Sequence, residues 1–214
     1  MDNNPGLLVI GANGGIGRQT VQLALTAGYH VTALVRNPAN LPLVHPKLTL
    51  IKGDVLSPET YAAHLTNKIA VISALGIKST KPTTLYSQGN AVLLQEMKKA
   101  GARRIFFISA SGLDVSPLQP FFVRLLTKYV LQKILRNMYA DIRIMEEIIK
   151  TSDADWTIMR PPRLTDGPAT GKYRIAINAY LPRCLTISRA DVGHFMLNHL
   201  ENKQTFRATV EIAY

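Results

Sequence analysis

The sequence predicts one α/β domain spanning residues 1–214, built as a doubly wound parallel sheet with helices on both faces. Three observations lead to this prediction. Short apolar stretches alternate with helical patterns along the chain, the first strand leads into a glycine-rich turn, and 214 residues suffice for one such domain but not for two. Hydrophobic residues make up 47% of the chain, enough for a sizeable core.

The first predicted strand is followed by the segment GANGGIGR at residues 11–18, which opens a helix. Gly11 permits a tight turn, Gly14 lets the backbone approach a phosphate, and Gly17 lets the helix pack close to the strand. The free N–H groups and the positive end of the helix dipole would face the anion. A strand–helix turn without a ligand is the alternative, but the position of the glycines favours a Rossmann-type nucleotide site.

The second predicted strand, His30–Val35, indicates which nucleotide is bound. An NAD site usually places an acidic residue about 20 residues beyond the glycines to bind the ribose 2′-hydroxyl. Here that position holds Arg36, and no carboxylate lies between His30 and Asn40. An arginine can pair with the 2′-phosphate of NADP, so we expect NADP(H) as the cofactor. The alternative is a solvated arginine at a strand end.

The remaining elements continue the alternation, and Gly101 is expected to cap a helix at its C-terminus. Further strands are predicted at 48–51, 70–76, 104–109, 156–160 and 208–213, and helices at 58–66, 86–100, 129–151 and 191–202. Ligands of this fold lie outside the carboxyl ends of the strands. The residues just after each strand are therefore candidate site residues.

Those residues have suitable chemistry. Asp54 can accept a hydrogen bond from an adenine amino group, and the small residues of Ala74-Leu75-Gly76 would let the backbone lie along a ribose. Ser109 and Ser111 would meet the nicotinamide end, and Pro161, which cannot continue a strand ladder, follows the sixth strand. As an alternative, each is an ordinary loop, cap or turn residue.

Charge and composition narrow the class of protein. The net charge is +11, but the basic residues are scattered and no nucleic-acid-binding signature accompanies them, so attraction of anionic substrates explains the charge as well. Cys184 is the only cysteine, which excludes an intramolecular disulfide and a cysteine-based metal site. No signal-peptide pattern or metal-ligand spacing is present, and we expect a cytoplasmic protein without a metal.

The apolar and basic stretch at residues 120–131 is too short and too interrupted for a transmembrane helix. It is interpreted as a buried helix, a substrate lid or a subunit contact, and the sequence does not distinguish these. Residues of about 115–138 and 161–187 are predicted to form a small substrate or lid region. A second copy or a protein partner could bind through residues 120–138.

Taken together, these motifs resemble the atypical short-chain dehydrogenase/reductase group, an NmrA-like superfamily, and within it the NADPH-dependent flavin reductase and biliverdin-IXβ reductase type. The LTDGP segment at 164–168 and the ISRADVGHF segment at 187–195 are the more specific matches. The resemblance implies cofactor contacts along the whole crevice. They are Asn13, Gly14, Gly15 and Ile16 for the pyrophosphate, Arg36 for the 2′-phosphate, Asp54 and Val55 for the adenine, Leu75 and Gly76 for the ribose, Ser109 and Ser111 for the nicotinamide, and Pro161 to Arg163 as its cover.

Two departures from the family pattern concern catalysis. Standard members carry a Tyr-x-x-x-Lys pair, and the corresponding positions here hold Tyr139 and Arg143, while Tyr129 and Lys133 have the spacing but lie ten residues too early. The flavin reductase type has a histidine after the paired prolines, and here Arg163 stands there, where it could bind an anionic group.

The predicted function is an NADPH-dependent oxidoreductase that passes a hydride to a small planar acceptor such as a flavin or quinone, or to a carbonyl. Ser111, Tyr139 and Arg163 are the candidate catalytic residues. Two alternatives stay open: a non-catalytic NADP(H) sensor resembling the negative nitrogen-regulator branch, and a sugar-nucleotide epimerase, which would need an intact Tyr/Lys pair.

Overall fold

A computed structural model describes residues 6–77 and 79–214, and strands and helices alternate along them. The strands are β1 (Gly6–Ile10), β2 (His30–Val35), β3 (Leu48–Lys52), β4 (Lys68–Ser73), β5 (Arg104–Ile108), β6 (Asp155–Arg160), β7 (Arg163–Thr165), β8 (Arg174–Ile177), β9 (Thr186–Ser188) and β10 (Ala208–Ala213). The α-helices are α1 (Gly15–Thr26), α2 (Leu85–Lys99), α3 (Phe121–Leu126), α4 (Gln132–Ile134), α5 (Arg136–Thr151) and α6 (Arg189–Asn198).

The main sheet has the strand order β3-β2-β1-β4-β5-β6-β10-β8. Every neighbouring pair is parallel except β10 with β8, which confirms the doubly wound parallel sheet and adds one antiparallel strand at its edge. The chain order reverses between β1 and β4, and this reversal creates the crevice in which ligands of such sheets bind. The short strands β7 and β9 pair separately.

The sheet is buried on both faces. Leu7 and Val9 of β1 pack into the core beneath α1 and α6, while Leu8 and Ile10 pack into the core beneath α2 and α5. Successive side chains of a strand point to opposite faces, so a continuous apolar run is what a strand covered on both sides requires.

The helix predicted at 58–66 is wrong. Two 3₁₀ turns, Pro58–Thr60 and Ala62–His64, replace it. Tyr61 between them is fully buried and its hydroxyl donates to the Val55 carbonyl at 3.1 Å. This tertiary contact holds Tyr61 at φ −139°, which no helix tolerates.

The interpretation of residues 120–131 as a buried helix is also wrong. α3 continues through a π-helical turn at Thr127–Leu131 into α4, and none of these residues is buried. Phe121 and Phe122 are 72% and 70% exposed. The lid and the interface remain as interpretations of this segment.

Arg104 joins the elements at the amino ends of the strands. Its guanidinium lies 3.9 Å from the ring centre of Phe106 and 4.5 Å from that of Phe206. Burial lowers the pKa of Arg104 to about 10, so it stays charged at neutral pH. Its N–H groups donate to the carbonyls of Asp155, His199 and Leu200 and to the hydroxyls of Thr157 and Thr205.

Within the described residues, no helix is long and apolar enough to cross a membrane. The same residues contain no group of three side chains that could hold a metal ion.

Candidate functional site

The turn between β1 and α1 requires its glycines. Gly11 adopts φ +74°, and a Cβ there would lie less than 3 Å from the carbonyl oxygen of Ala74 at the end of β4. A Cβ on Gly17 would lie as close to the carbonyl of Gly11. The Gly14 N–H donates to the Gly11 carbonyl at 2.9 Å and closes the turn.

The start of α1 is open toward the crevice. Gly14 occupies the N-cap position, no side chain caps the first turn, and Gly14 and Gly15 are exposed. The Oδ1 atom of Asn13 is buried without a hydrogen-bond partner, while its Nδ2 donates to the Asn37 carbonyl at 3.1 Å. Free N–H groups suit a pyrophosphate, and the orphaned Asn13 oxygen suits a hydroxyl or amide donor, so these residues fit a dinucleotide.

The loop after β2 is positively charged. Arg36 is exposed at the end of β2, and Arg18 of α1 reaches across to donate to the Asn40 carbonyl. No acidic residue occurs between Asp2 and Asp54. The sequence interpretation identified Arg36 but missed Arg18, whose only signal is its place directly after the last glycine of the turn.

The residues predicted beside the adenine and ribose follow β3 and β4. One carboxylate oxygen of Asp54 accepts the Leu56 N–H at 2.9 Å, and Val55 is buried next to it. Leu75 is half-buried, and Gly76 is exposed with open space where a Cβ would stand.

At the end of β5, where the sequence predicts the nicotinamide, the two serines differ. The buried hydroxyl of Ser109 donates to Oε1 of Glu146 at 2.7 Å, so it cannot donate the same proton to a ligand. The Ser111 N–H donates to the Pro161 carbonyl at 3.0 Å, which joins the ends of β5 and β6. Ser111 also lines a cavity of about 40 Å³ together with Gly112, Val123, Thr127, Cys184 and neighbouring residues.

A buried ionic network supports this end of the sheet. Glu146 on α5 accepts from Arg160 Nε at 2.9 Å and pairs with its Nη2 at 2.5 Å, and Arg160 also pairs with Asp114 at 2.8 Å. Burial by itself would raise the pKa of Glu146, but the Arg160 guanidinium and the Ser109 hydroxyl together hold it below its ordinary value. The sequence interpretation missed Glu146, although a carboxylate on the apolar face of a helix is a usable signal.

Tyr139 lies beside the same turn, since a Cβ on Gly112 would come within 3 Å of its hydroxyl. Burial raises the pKa of Tyr139 to about 12. Arg143, four residues later, bonds instead to Asp114 at 3.1 Å and to the Leu113 carbonyl. Tyr129, the other tyrosine with suitable spacing, is exposed on the surface.

A family model described as NAD(P)H-binding matches residues 11–203. The chain belongs to this NAD(P)H-binding family. Its cofactor class is therefore a nicotinamide dinucleotide.

The photosystem II assembly factor Ycf39 of Guillardia theta is 28% identical over 217 residues, which cover 96% of this chain and 64% of that protein. The chain spans less than two thirds of the length of the photosystem II assembly factors that it matches.

Solved structures show the same fold. A short-chain dehydrogenase/reductase of Veillonella parvula DSM 2008 in complex with NADP aligns with a TM-score of 0.82 and 19% identity, covering 98% of this chain and 94% of that one. The anaerobilin reductase ChuY of Escherichia coli O157:H7 aligns with a TM-score of 0.76 and 22% identity, covering 97% of this chain and 96% of that one. At these identities the likeness concerns the fold alone.

Two more arginines stand near the crevice of this NAD(P)H-binding protein. Arg163 is exposed at the start of β7, two residues beyond the buried Pro161. The side chain of Arg189, the first residue of α6, lies over Gly15 and pairs with the exposed Asp166 at 2.6 Å. The sequence interpretation did not assign Arg189 to the site, although it lies in the family-like segment 187–195.

A larger cavity of about 400 Å³ lies away from the glycine turn, beside β6, β10 and β8. None of the predicted site residues lines it. Its walls are formed by Lys150, Arg160, Asn178, Ala179, Tyr180, Thr209 and Glu211.

Proposed function

We propose that this chain is an NADPH-dependent reductase that passes a hydride to a small planar acceptor, such as a flavin or a quinone. The observation that carries the proposal is the small cavity beside Ser111, which lies at the end of β5 and beneath residues 115–127. The nicotinamide is predicted to lie at this end of the crevice, and a hydride acceptor would have to lie beside it.

A ring-sized acceptor needs more room than this cavity has, so the proposal requires that the cover of the cavity moves. About 40 Å³ is far below the several hundred Å³ of a pocket for a ring-sized ligand. Val123 and Thr127 form part of its wall and belong to the exposed helical segment. Residues 115–138, with Cys184 from the 161–187 region on the other side, therefore act as the lid of the substrate region.

Charge supports NADP(H) over NAD(H). Arg36 and Arg18 flank the loop where a 2′-phosphate would lie, and no acidic residue between Asp2 and Asp54 competes for them. The open first turn of α1 binds the pyrophosphate, and Arg189 stands within reach of the same turn. When bound, NADPH supplies the hydride.

The chain's own residues orient the reactants. Ser111 holds the nicotinamide amide or the acceptor, and Arg163 fixes an anionic group of the substrate. Tyr139 keeps its proton at neutral pH, because its pKa of about 12 is far above that range, and it can donate a hydrogen bond. Flavins and quinones can take their proton from solvent, so orientation is the main task, worth up to about 7–11 kcal/mol in favourable cases.

A second candidate is a non-catalytic NADP(H)-binding protein that reports redox state to a partner. The observation that favours it is the pairing of Arg143 with Asp114, which leaves Tyr139 without a cation to lower its pKa. The similarity to a protein named as an assembly factor agrees with this candidate.

One experiment separates the two functions. NADPH oxidation is measured with a panel of flavins, quinones and small carbonyls, beside a direct NADPH-binding titration. The reductase is supported if one class of acceptor is turned over and Ser111→Ala abolishes this turnover while NADPH binding is retained. The control variant Ser79→Ala, at an exposed serine, should keep both turnover and binding. Tight NADPH binding without turnover on any acceptor contradicts it and supports the sensor.

A further inference from the structure

The helical segment of residues 121–134, here called the surface segment, carries an unusual amount of exposed apolar surface. Of the sixteen large apolar side chains exposed in residues 6–77 and 79–214, eight belong to these fourteen residues. Such a concentration marks an interaction site in a folded protein.

The structure gives the surface segment two distinct faces, although its sequence is apolar nearly all round. Val123, Arg124 and Thr127 line the cavity beside Ser111, and this defines the inner face; Val123 and Thr127 are half-buried. The opposite, outer face consists of exposed side chains. They are Phe121, Phe122, Leu125, Leu126, Tyr129 and Val130.

Charge accompanies this apolar face. Lys128 and Lys133 of the segment and Arg136 just beyond it are exposed, and no acidic residue occurs between Asp114 and Asp141. The ammonium group of Lys128 lies 5.3 Å from the ring centre of Tyr129, so cations and aromatic rings are neighbours. Exposed aromatic and aliphatic side chains bordered by lysines and arginines are typical of helices that lie at a membrane interface.

A second copy of the chain or a protein partner fits the surface segment less well than a lipid surface does. In a two-fold contact with a second copy, two sets of three cations would meet without an acidic side chain from either segment to pair with them. Lysines are depleted in the cores of protein–protein interfaces, but Lys128 and Lys133 stand within this segment. An anionic lipid surface accepts both the apolar side chains and the unpaired cations, and the net charge of +11 brings the chain toward it.

We propose that the surface segment docks this protein on the surface of an anionic phospholipid bilayer. The outer face enters the boundary between headgroups and acyl chains, and Lys128, Lys133 and Arg136 contact the headgroups. The inner face points toward the protein, on the side of the cavity beside Ser111.

The test is co-sedimentation of the full chain with vesicles of phosphatidylcholine, with and without about 30% phosphatidylglycerol. We expect binding to the anionic vesicles only, and a clear loss when sodium chloride is raised to about 0.5 M. Phe121→Ser with Phe122→Ser should reduce the bound fraction about tenfold or more, since both rings are mostly exposed and contribute little to the fold. The matched control is Val44→Ser, an exposed apolar residue outside the segment.

A second pair of variants separates a specific surface from bulk charge. Lys128→Gln with Lys133→Gln should weaken vesicle binding several-fold more than Lys172→Gln with Lys203→Gln, which removes the same charge from exposed sites elsewhere. Equal losses would show that net charge alone attracts the vesicles and would overturn the proposal. So would an absence of binding to anionic vesicles, or a lipid-free dimer that the double serine variant dissociates.

Discussion

Replacement of Glu146 by glutamine tests whether the buried ionic network supports the fold. The Glu146 side chain is 2% exposed, accepts from Ser109 at 2.7 Å and pairs with Arg160, which is itself 13% exposed. Removal of one partner from a buried ion pair typically costs about 3–5 kcal/mol, because the other charge is left buried. Arg160 keeps Asp114 at 2.8 Å, so we expect the lower end, about 3 kcal/mol.

The next residue along α5 supplies a matched control. Glu147 is 75% exposed and its pair with Lys150 lies on the surface, so Glu147→Gln should change the free energy of unfolding by about 0–1 kcal/mol. Urea unfolding followed by circular dichroism measures both variants. In thermal unfolding, Glu146→Gln should lower Tm by about 6–12 °C, because each kcal/mol of lost stability lowers Tm by about 2–4 °C in a protein of this size. Equal effects of the two substitutions would refute the assignment of the network as structural.

The same network predicts a pH dependence. The pKa of Glu146 is lowered in the folded protein, so its contribution to stability is fully present above the ordinary value of 4.5 and is lost as pH falls through the folded pKa. The stability difference between the unmodified protein and Glu146→Gln should therefore shrink as the pH is lowered below about 4.5. A difference that stays constant down to acid unfolding would contradict this.

Three further predictions concern the cofactor and the reaction. Arg36→Ala should weaken NADPH binding about ten- to a hundredfold and leave NADH binding nearly unchanged in calorimetric titrations, because one charge-assisted contact to the 2′-phosphate is lost. An equal loss of affinity for both cofactors would exclude that contact. Gly11→Ala should abolish NADPH binding and lower Tm, whereas Gly101→Ala should cost only about 1–2 kcal/mol, since both glycines have positive φ but only Gly11 has no room for a Cβ. Tyr139→Phe should slow reduction of carbonyl acceptors about a hundredfold or more and leave flavin reduction intact, because the carbonyl oxygen needs a positioned proton donor whereas the flavin takes its proton from solvent; equal slowing of both in steady-state assays would contradict the solvent route.

Local patterns predicted much of this fold. β2 at His30–Val35 and β10 at Ala208–Ala213 match the predicted strands to the residue, because each is a β-branched apolar run with clear limits. Gly101 has the positive φ expected of a helix cap. The glycine turn between β1 and α1 was recognisable because strand, spacing and helix occur together.

Features that depend on long-range contacts were not predictable in this way. Glu146 meets Ser109 and Arg160 only after three elements pack together, and the side chain of Arg189 reaches Gly15 from α6, far along the chain. The surface segment was ambiguous because an apolar pattern does not say what, if anything, covers it. The helix expected at 58–66 failed because the burial of Tyr61 outweighed the local preference.

Arg104 and the candidate site occupy opposite ends of the same strand. From Arg104 to Ser109 the chain rises about 3.3 Å per residue over five steps, so the arginine anchor lies about 16 Å from the serine turn. The anchor's partners are residues 155, 157, 199, 200 and 205, none of which is a candidate site residue. Substitutions in the loops at the carboxyl ends of the strands can therefore change the candidate site without disturbing the contacts of Arg104 at the amino ends.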